Sequence, residues 1–92
     1  MEIDCRFFAT FREAVGQKER TYTVEDDATV GDLLAFLEDE YEGLDGQLLE
    51  NGGVRPQLNV LVNGRNVVHE EGTETELEEG DVLSVFPPVA GG

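Results

Sequence analysis

The chain has 92 residues, 39% of them apolar, and 21 Asp and Glu against 6 Lys and Arg, for a formal net charge of −15. That length makes one small domain, and no apolar run approaches the ~18 residues that a membrane span needs. The single cysteine, Cys5, excludes an internal disulfide and a Cys-rich zinc site, and the negative charge sets aside nucleic acid and anionic membrane as partners.

Met1-Glu2-Ile3-Asp4 carries neither a basic nor an apolar leader region, so a soluble cytoplasmic domain is expected. Lys18 is the only lysine; the other cations are Arg6, Arg12, Arg20, Arg55 and Arg65. Such an acid-rich, lysine-poor surface points to a high-salt cytoplasm, where screening shortens carboxylate repulsion to ~3 Å at about 1 M ionic strength.

Residues 3–9 alternate, with Ile3, Cys5, Phe7 and Ala9 on one face, which predicts a strand. Residues 10–17 allow a helical turn at most, closed by Gly16. Residues 19–24 are β-prone and predict a second strand. Thr29 then opens the one long helix, with Asp32 placed for a capping box. Val30, Leu33, Leu34, Leu37 and Tyr41 form its apolar stripe, and Gly43 is positioned to end it. A further turn is expected within 44–50 and a loop at Asn51-Gly52-Gly53. Residues 58–62 predict a third strand, and Asn63-Gly64 a hairpin turn into Asn66-Val67-Val68. After an acidic stretch from Glu70 to Glu79, Gly80-Asp81 turns the chain into a last strand at 82–86. The order β-β-α-β-β-β, one helix against one mixed sheet, is an α+β class. The domain is expected to span 1–86, with 87–92 as an extended tail.

Catalytic constellations are absent from this pattern. One histidine, His69, supports neither a His-pair metal set nor a triad with a second His, and its place after a short strand suits a surface residue. Cys5 lies mid-strand without a basic cluster, as expected of a buried structural thiol. Lys18 has no phosphate-binding glycine loop around it. The carboxylates of 38–42 and 70–79 read as solvated faces, not acid–base pairs. No catalytic residue, metal ligand or bound cofactor is therefore expected.

The end of the chain has its own chemistry. In Phe86-Pro87-Pro88-Val89-Ala90-Gly91-Gly92, two prolines hold the exit extended. Two glycines without Cβ let a terminal carboxylate enter a narrow channel. A carboxylate ionised above a pKa of about 3.3–3.7 is a poor electrophile. It reacts only after an ATP-using partner converts it to an acyl-adenylate, which a thiolate, sulfide or amine can attack.

Four segments carry a family resemblance. Gly80 to Gly92 is similar to the ending Gly-Asp-x-Val-x-x-x-Pro-Pro-Val-x-Gly-Gly, and Phe7 to Gly16 to a Phe-Ala-x-x-Arg-Glu-x-x-Gly segment. Thr29-Val30-Gly31-Asp32-Leu33 and Val62-Asn63-Gly64 look like the helix start and central hairpin of the same family. Over essentially its whole length the chain resembles the ubiquitin-like sulfur-carrier and modifier family that includes MoaD, the small subunit of molybdopterin synthase, and the small archaeal modifier proteins. The acidity adds a haloarchaeal flavour, and the middle loop, 45–57, is longer and more glycine-rich than in a bacterial MoaD.

The resemblance implies a β-grasp fold. It also implies that an E1-like enzyme uses ATP to adenylate Gly92, with Gly91 as its channel-fitting neighbour. The activated glycine would then join lysines of target proteins. Alternatively it becomes a thiocarboxylate that donates sulfur to a molybdopterin precursor, beside the large subunit of molybdopterin synthase. A plain binding module with a dispensable tail is the third reading. Strand alternation places Phe8, Leu61 and Phe86 on the sheet face away from the helix, a candidate docking patch for the activating enzyme or synthase subunit. Lys18, the only side-chain amine, is the candidate isopeptide acceptor if copies of the chain join one another.

Overall fold

The computed structural model describes residues 1–88. The expected glycines Gly91 and Gly92 lie outside the described residues. Among the described residues are seven strands and two α-helices, with three short 3₁₀ turns between them: β1 (Glu2–Phe7), α1 (Ala9–Val15), β2 (Glu19–Thr23), α2 (Val30–Glu40), β3 (Leu49–Glu50), β4 (Gly53–Val54), β5 (Asn59–Val62), β6 (Arg65–Asn66) and β7 (Val82–Phe86). Five strands form one sheet in the order β2-β1-β7-β5-β6, with β1 and β7 parallel and the other neighbours antiparallel. β3 and β4 form a separate hairpin. A mixed sheet whose central pair joins the first and last strands, wrapped on one long helix, is the β-grasp arrangement.

The core follows from alternation. Ile3, Cys5 and Phe7 of β1, Leu83 and Val85 of β7 and Val60 of β5 are buried on one sheet face. Against them α2 lays Val30, Leu33, Leu34 and Leu37, spaced for one helical face and each at most 1% exposed. Leu44, Leu48, Leu58, Val67 and Leu77 close the ends of this cluster. The helix starts where its capping box says. The Thr29 hydroxyl accepts from the Asp32 N–H at 3.2 Å, and the Asp32 carboxylate accepts from the Thr29 N–H at 3.0 Å.

Four local expectations change. First, residues 9–15 are a seven-residue helix, not a single turn, and Ala9 begins it instead of ending β1. The reason is packing: Phe11 is buried, and Gly16 at φ 86° supplies the left-handed cap that stops the helix. Second, α2 ends at Glu40 before Gly43, capped by an extended Tyr41. Gly43 serves close approach instead: a Cβ there would lie 2.7 Å from the Ala14 Cβ, so the turn at 42–44 can sit against α1. Third, Asn51-Gly52 is the turn of the β3–β4 hairpin, with both residues at positive φ, and not part of a loop. Fourth, the hairpin turned by Asn63-Gly64 returns through Arg65–Asn66, and Val67–His69 turns into a short 3₁₀ segment.

Candidate functional site

The outer sheet face, away from α2, divides into two chemistries. On the β1–β2 side it is polar, with the Arg6 Nε 3.6 Å from the Asp4 carboxylate and 3.9 Å from that of Glu19. Toward the end of β7 it is apolar. Phe8 and Phe86 stack face to face there, with ring centroids 4.1 Å apart and planes 9° from parallel. Register explains the meeting. β1 and β7 run parallel with Phe7 opposite Val85, so the next residue on each strand, Phe8 and Phe86, emerges on the opposite face at the same height. Phe8 is extended, at φ −128° and ψ 150°, before the chain turns into α1.

Leu61 joins them from β5, where Asn59 pairs with Phe86 and Leu61 with Ser84. With Pro87 and Pro88 these three side chains line an open groove of about 780 Å³, rimmed by Asn59 and Asn66. Asn66 donates from Nδ2 to the Asn59 Oδ1 at 3.1 Å, which ties β6 to β5 beside the groove. All three docking candidates are half-buried, so each keeps apolar surface in water. The structure thus brings Phe8, Leu61 and Phe86 together at the root of the tail. It also adds Pro87 and Pro88 to the same wall, which sequence reading took only as a rigid exit.

The base of this site is held by the Asn63-Gly64 turn, at φ 52° and 85°. Asn63 Oδ1 accepts from the Val82 N–H at 3.0 Å, and its Nδ2 donates to the Asp81 carboxylate at 2.9 Å. One asparagine therefore fixes both the hairpin and the entry of β7, the strand that carries the tail.

The remaining candidates stand apart from the groove. Lys18 is exposed in the connection from α1 to β2, and its carbonyl accepts from the Phe7 N–H at 2.9 Å, so a fixed backbone presents the amine to water. His69 is exposed. Cys5 is 0% exposed; burial first, and the neighbouring Asp4 carboxylate second, push its thiol from an ordinary 9.0 up to about 12. This is a packed structural thiol and not a nucleophile at neutral pH.

That shift has a measurable consequence. Between pH 9 and 12 the folded chain keeps the Cys5 proton while an unfolded chain loses it, so unfolding releases a proton. Stability from this group is intact below pH 9 and falls as pH rises toward 12. Tyr22, raised by burial and then by its 2.6 Å hydrogen bond to Tyr41, acts in the same direction starting from 10.0. Urea midpoints measured across this range should decline, and Cys5→Ala should remove the part of the decline that begins nearest pH 9. An identical slope in that variant would refute the assignment.

Among the described residues no helix is long and apolar enough to cross a membrane. Comparison with known proteins agrees with the fold. The ThiS family profile matches residues 5–92. Small archaeal modifier protein 3 of Haloferax volcanii is 63% identical over 92 residues, covering all of both chains. The molybdopterin synthase sulfur carrier subunit of Chlamydomonas reinhardtii is 30% identical over 98 residues, again covering all of both. A Haloferax volcanii protein solved in solution superimposes with a TM-score of 0.94 at 63% identity, over 100% of this chain and 87% of that one. Its β-grasp sheet, its capped central helix and these full-length matches place the chain in the ThiS family, among small archaeal modifier and sulfur-carrier homologues.

Proposed function

We propose that this chain is a ubiquitin-like protein modifier, activated at Gly92 by an E1-like enzyme and joined to lysines of other proteins. In the first step a carboxylate oxygen of Gly92 attacks the α-phosphate of ATP held by that enzyme, and pyrophosphate leaves. In the second, a lysine amine attacks the glycyl carbonyl, AMP leaves and an isopeptide bond forms. The chain itself supplies no catalytic group and binds no cofactor; it supplies the acyl group and a handle. The observation that carries this reading is the apolar groove of Phe8, Leu61, Phe86, Pro87 and Pro88 at the root of the tail. An enzyme gripping that wall has the glycine carboxylate within a few residues' reach. The likeness to small archaeal modifier protein 3 supports conjugation as the outcome.

A second role shares the adenylate. Sulfide sulfur, delivered in place of the amine, displaces AMP and leaves a thiocarboxylate at Gly92. The sulfur then passes to a molybdopterin precursor beside the large subunit of molybdopterin synthase. The likeness to a molybdopterin synthase sulfur carrier subunit favours it. Mass spectrometry of the protein from its own cells separates the two. A sulfur-for-oxygen exchange in the intact mass reports the carrier. A branch of residues 66–92 on target lysines reports the modifier, since Arg65 is the last tryptic site. Absence of both from cells that express the chain would overturn the proposal.

Lys18 gives a narrower test. As the only side-chain amine, it is the acceptor when one copy is joined to another, with the Met1 α-amine as the sole other route. Lys18→Arg keeps the charge and removes the nucleophile. Self-conjugates should vanish while conjugates with other proteins persist. Self-conjugates surviving with Met1 blocked would end the idea.

A further inference from the structure

A second recognition surface lies at the opposite edge of the sheet. Among the described residues β2 is an edge strand with β1 as its only neighbour. Met1 and Val24 exchange backbone hydrogen bonds, with Met1 donating at 2.7 Å and Val24 at 2.8 Å, and the Phe7 N–H donates to Lys18. Antiparallel alternation then makes Ile3–Tyr22 and Cys5–Arg20 the other bonded pairs. The N–H and C=O groups of Thr21 and Thr23 therefore point outward, and no turn or loop of the described residues bonds them. An unpaired edge of this kind is a template for another strand.

Beside that edge runs a cleft between the end of β2 and α2. Val24, Leu33 and Phe36 give it an apolar floor, and Glu25, Asp27 and Asp32 line its rim. No Lys or Arg lines it. Phe36 is 42% exposed, one of two large apolar side chains so open to water among the described residues. It is not loose: its ring meets Tyr22 edge-on at 5.5 Å, so a rigid aromatic surface is held beside the strand. Arg20, nearer the start of β2, is occupied over the same Tyr22 ring, 5.8 Å from its centroid. Sequence reading passed over Phe36 because it falls off the apolar stripe of the helix.

We propose that the β2 edge and this cleft together take an extended peptide of a protein partner, in which apolar residues are flanked by lysine or arginine. The peptide pairs its backbone with Thr21 and Thr23, places an apolar side chain against Val24 and Phe36, and sets its cations against Glu25 and Asp27. Free backbone groups supply affinity, the apolar floor supplies the side-chain choice, and the acidic rim selects the flanks. This surface is separate from the tail-root groove, so one chain can hold a partner here while its tail is engaged elsewhere.

The test is an NMR titration of the full ¹⁵N-labelled chain with two blocked peptides, Lys-Val-Ile-Val-Lys and Glu-Val-Ile-Val-Glu. The cationic peptide should shift the amides of Thr21, Thr23, Val24 and Phe36 and bind at least about tenfold more tightly than the acidic one. Phe36→Ser, an exposed change on α2, should weaken binding by about tenfold. Thr23→Pro removes one outward N–H at an edge position that tolerates proline and should weaken it likewise. Equal binding of both peptides, no shift at millimolar peptide, or shifts centred on Phe8, Leu61 and Phe86 would each overturn the proposal. Because neither peptide nor readout involves Gly92, failure here leaves the modifier reading untouched.

Discussion

Removing Gly92 should abolish conjugation and thiocarboxylate formation together, lowering activation by about 100-fold or more, because a misplacement of even 1 Å can cost that much. The change is chemically small. The shortened chain still ends in a glycine carboxylate, that of Gly91, with the same charge and the same lack of a Cβ. Only its reach changes, by about 3.5 Å. The acyl group would then stop short of the ATP α-phosphate for an enzyme that grips the fold at the tail root. The folded body should not notice the deletion, since the buried cluster runs from Ile3 to Val85. ATP–pyrophosphate exchange with the activating enzyme reads the effect directly, with circular dichroism as the control for folding. Exchange at the rate of the intact chain would show that the Gly91 carboxylate is adenylated as readily, and would refute the requirement for Gly92; no exchange with either chain would favour a binding module with a dispensable tail.

How much of this was legible in the sequence depends on whether the deciding interaction is local. The α2 start was legible because Thr29 and Asp32 cap each other three residues apart. The Asn63-Gly64 hairpin was legible because positive φ at two adjacent positions has few chemical solutions. The same signal at Asn51-Gly52 was passed over, since strands of two residues, Leu49–Glu50 and Gly53–Val54, are too short for alternation to show. The full length of α1 depends on burying Phe11, a tertiary contact with no local trace. The end of α2 likewise depends on Gly43 packing against Ala14, and not on Gly43 acting as a cap. At the site, strand alternation placed Phe8, Leu61 and Phe86 on one face. Their convergence on a single groove needed the parallel β1–β7 register, which no local pattern encodes. The Phe36 cleft was invisible for a similar reason, because it exists only where the β2 edge meets α2.

Replacing both stacked rings, Phe8→Ser with Phe86→Ser, should separate recognition from folding. The two side chains sit on the outer sheet face, opposite the core that α2 covers, and both keep exposed surface. Their stack is worth about 0.5–1.5 kcal/mol beyond the area it hides, small beside the ~5–15 kcal/mol that holds a domain folded. The double variant should therefore melt earlier yet cooperatively, with its amide spectrum unchanged around Leu34 and Leu37. An enzyme that docks on this wall loses two aromatic anchors, and central aromatic contacts commonly cost about 2 kcal/mol or more when removed. Its kcat/KM for the chain should fall about 30-fold or more, since each 1.4 kcal/mol is about tenfold. The loss should appear in KM and not in kcat, because the acyl chemistry at Gly92 is untouched once the chain is bound. Leu61→Ser should add to the loss, as it removes the third side of the same groove. A fall in kcat with unchanged KM would mean that the rings position the tail instead of holding the enzyme. An unchanged kcat/KM in a folded double variant would remove the groove from the mechanism altogether.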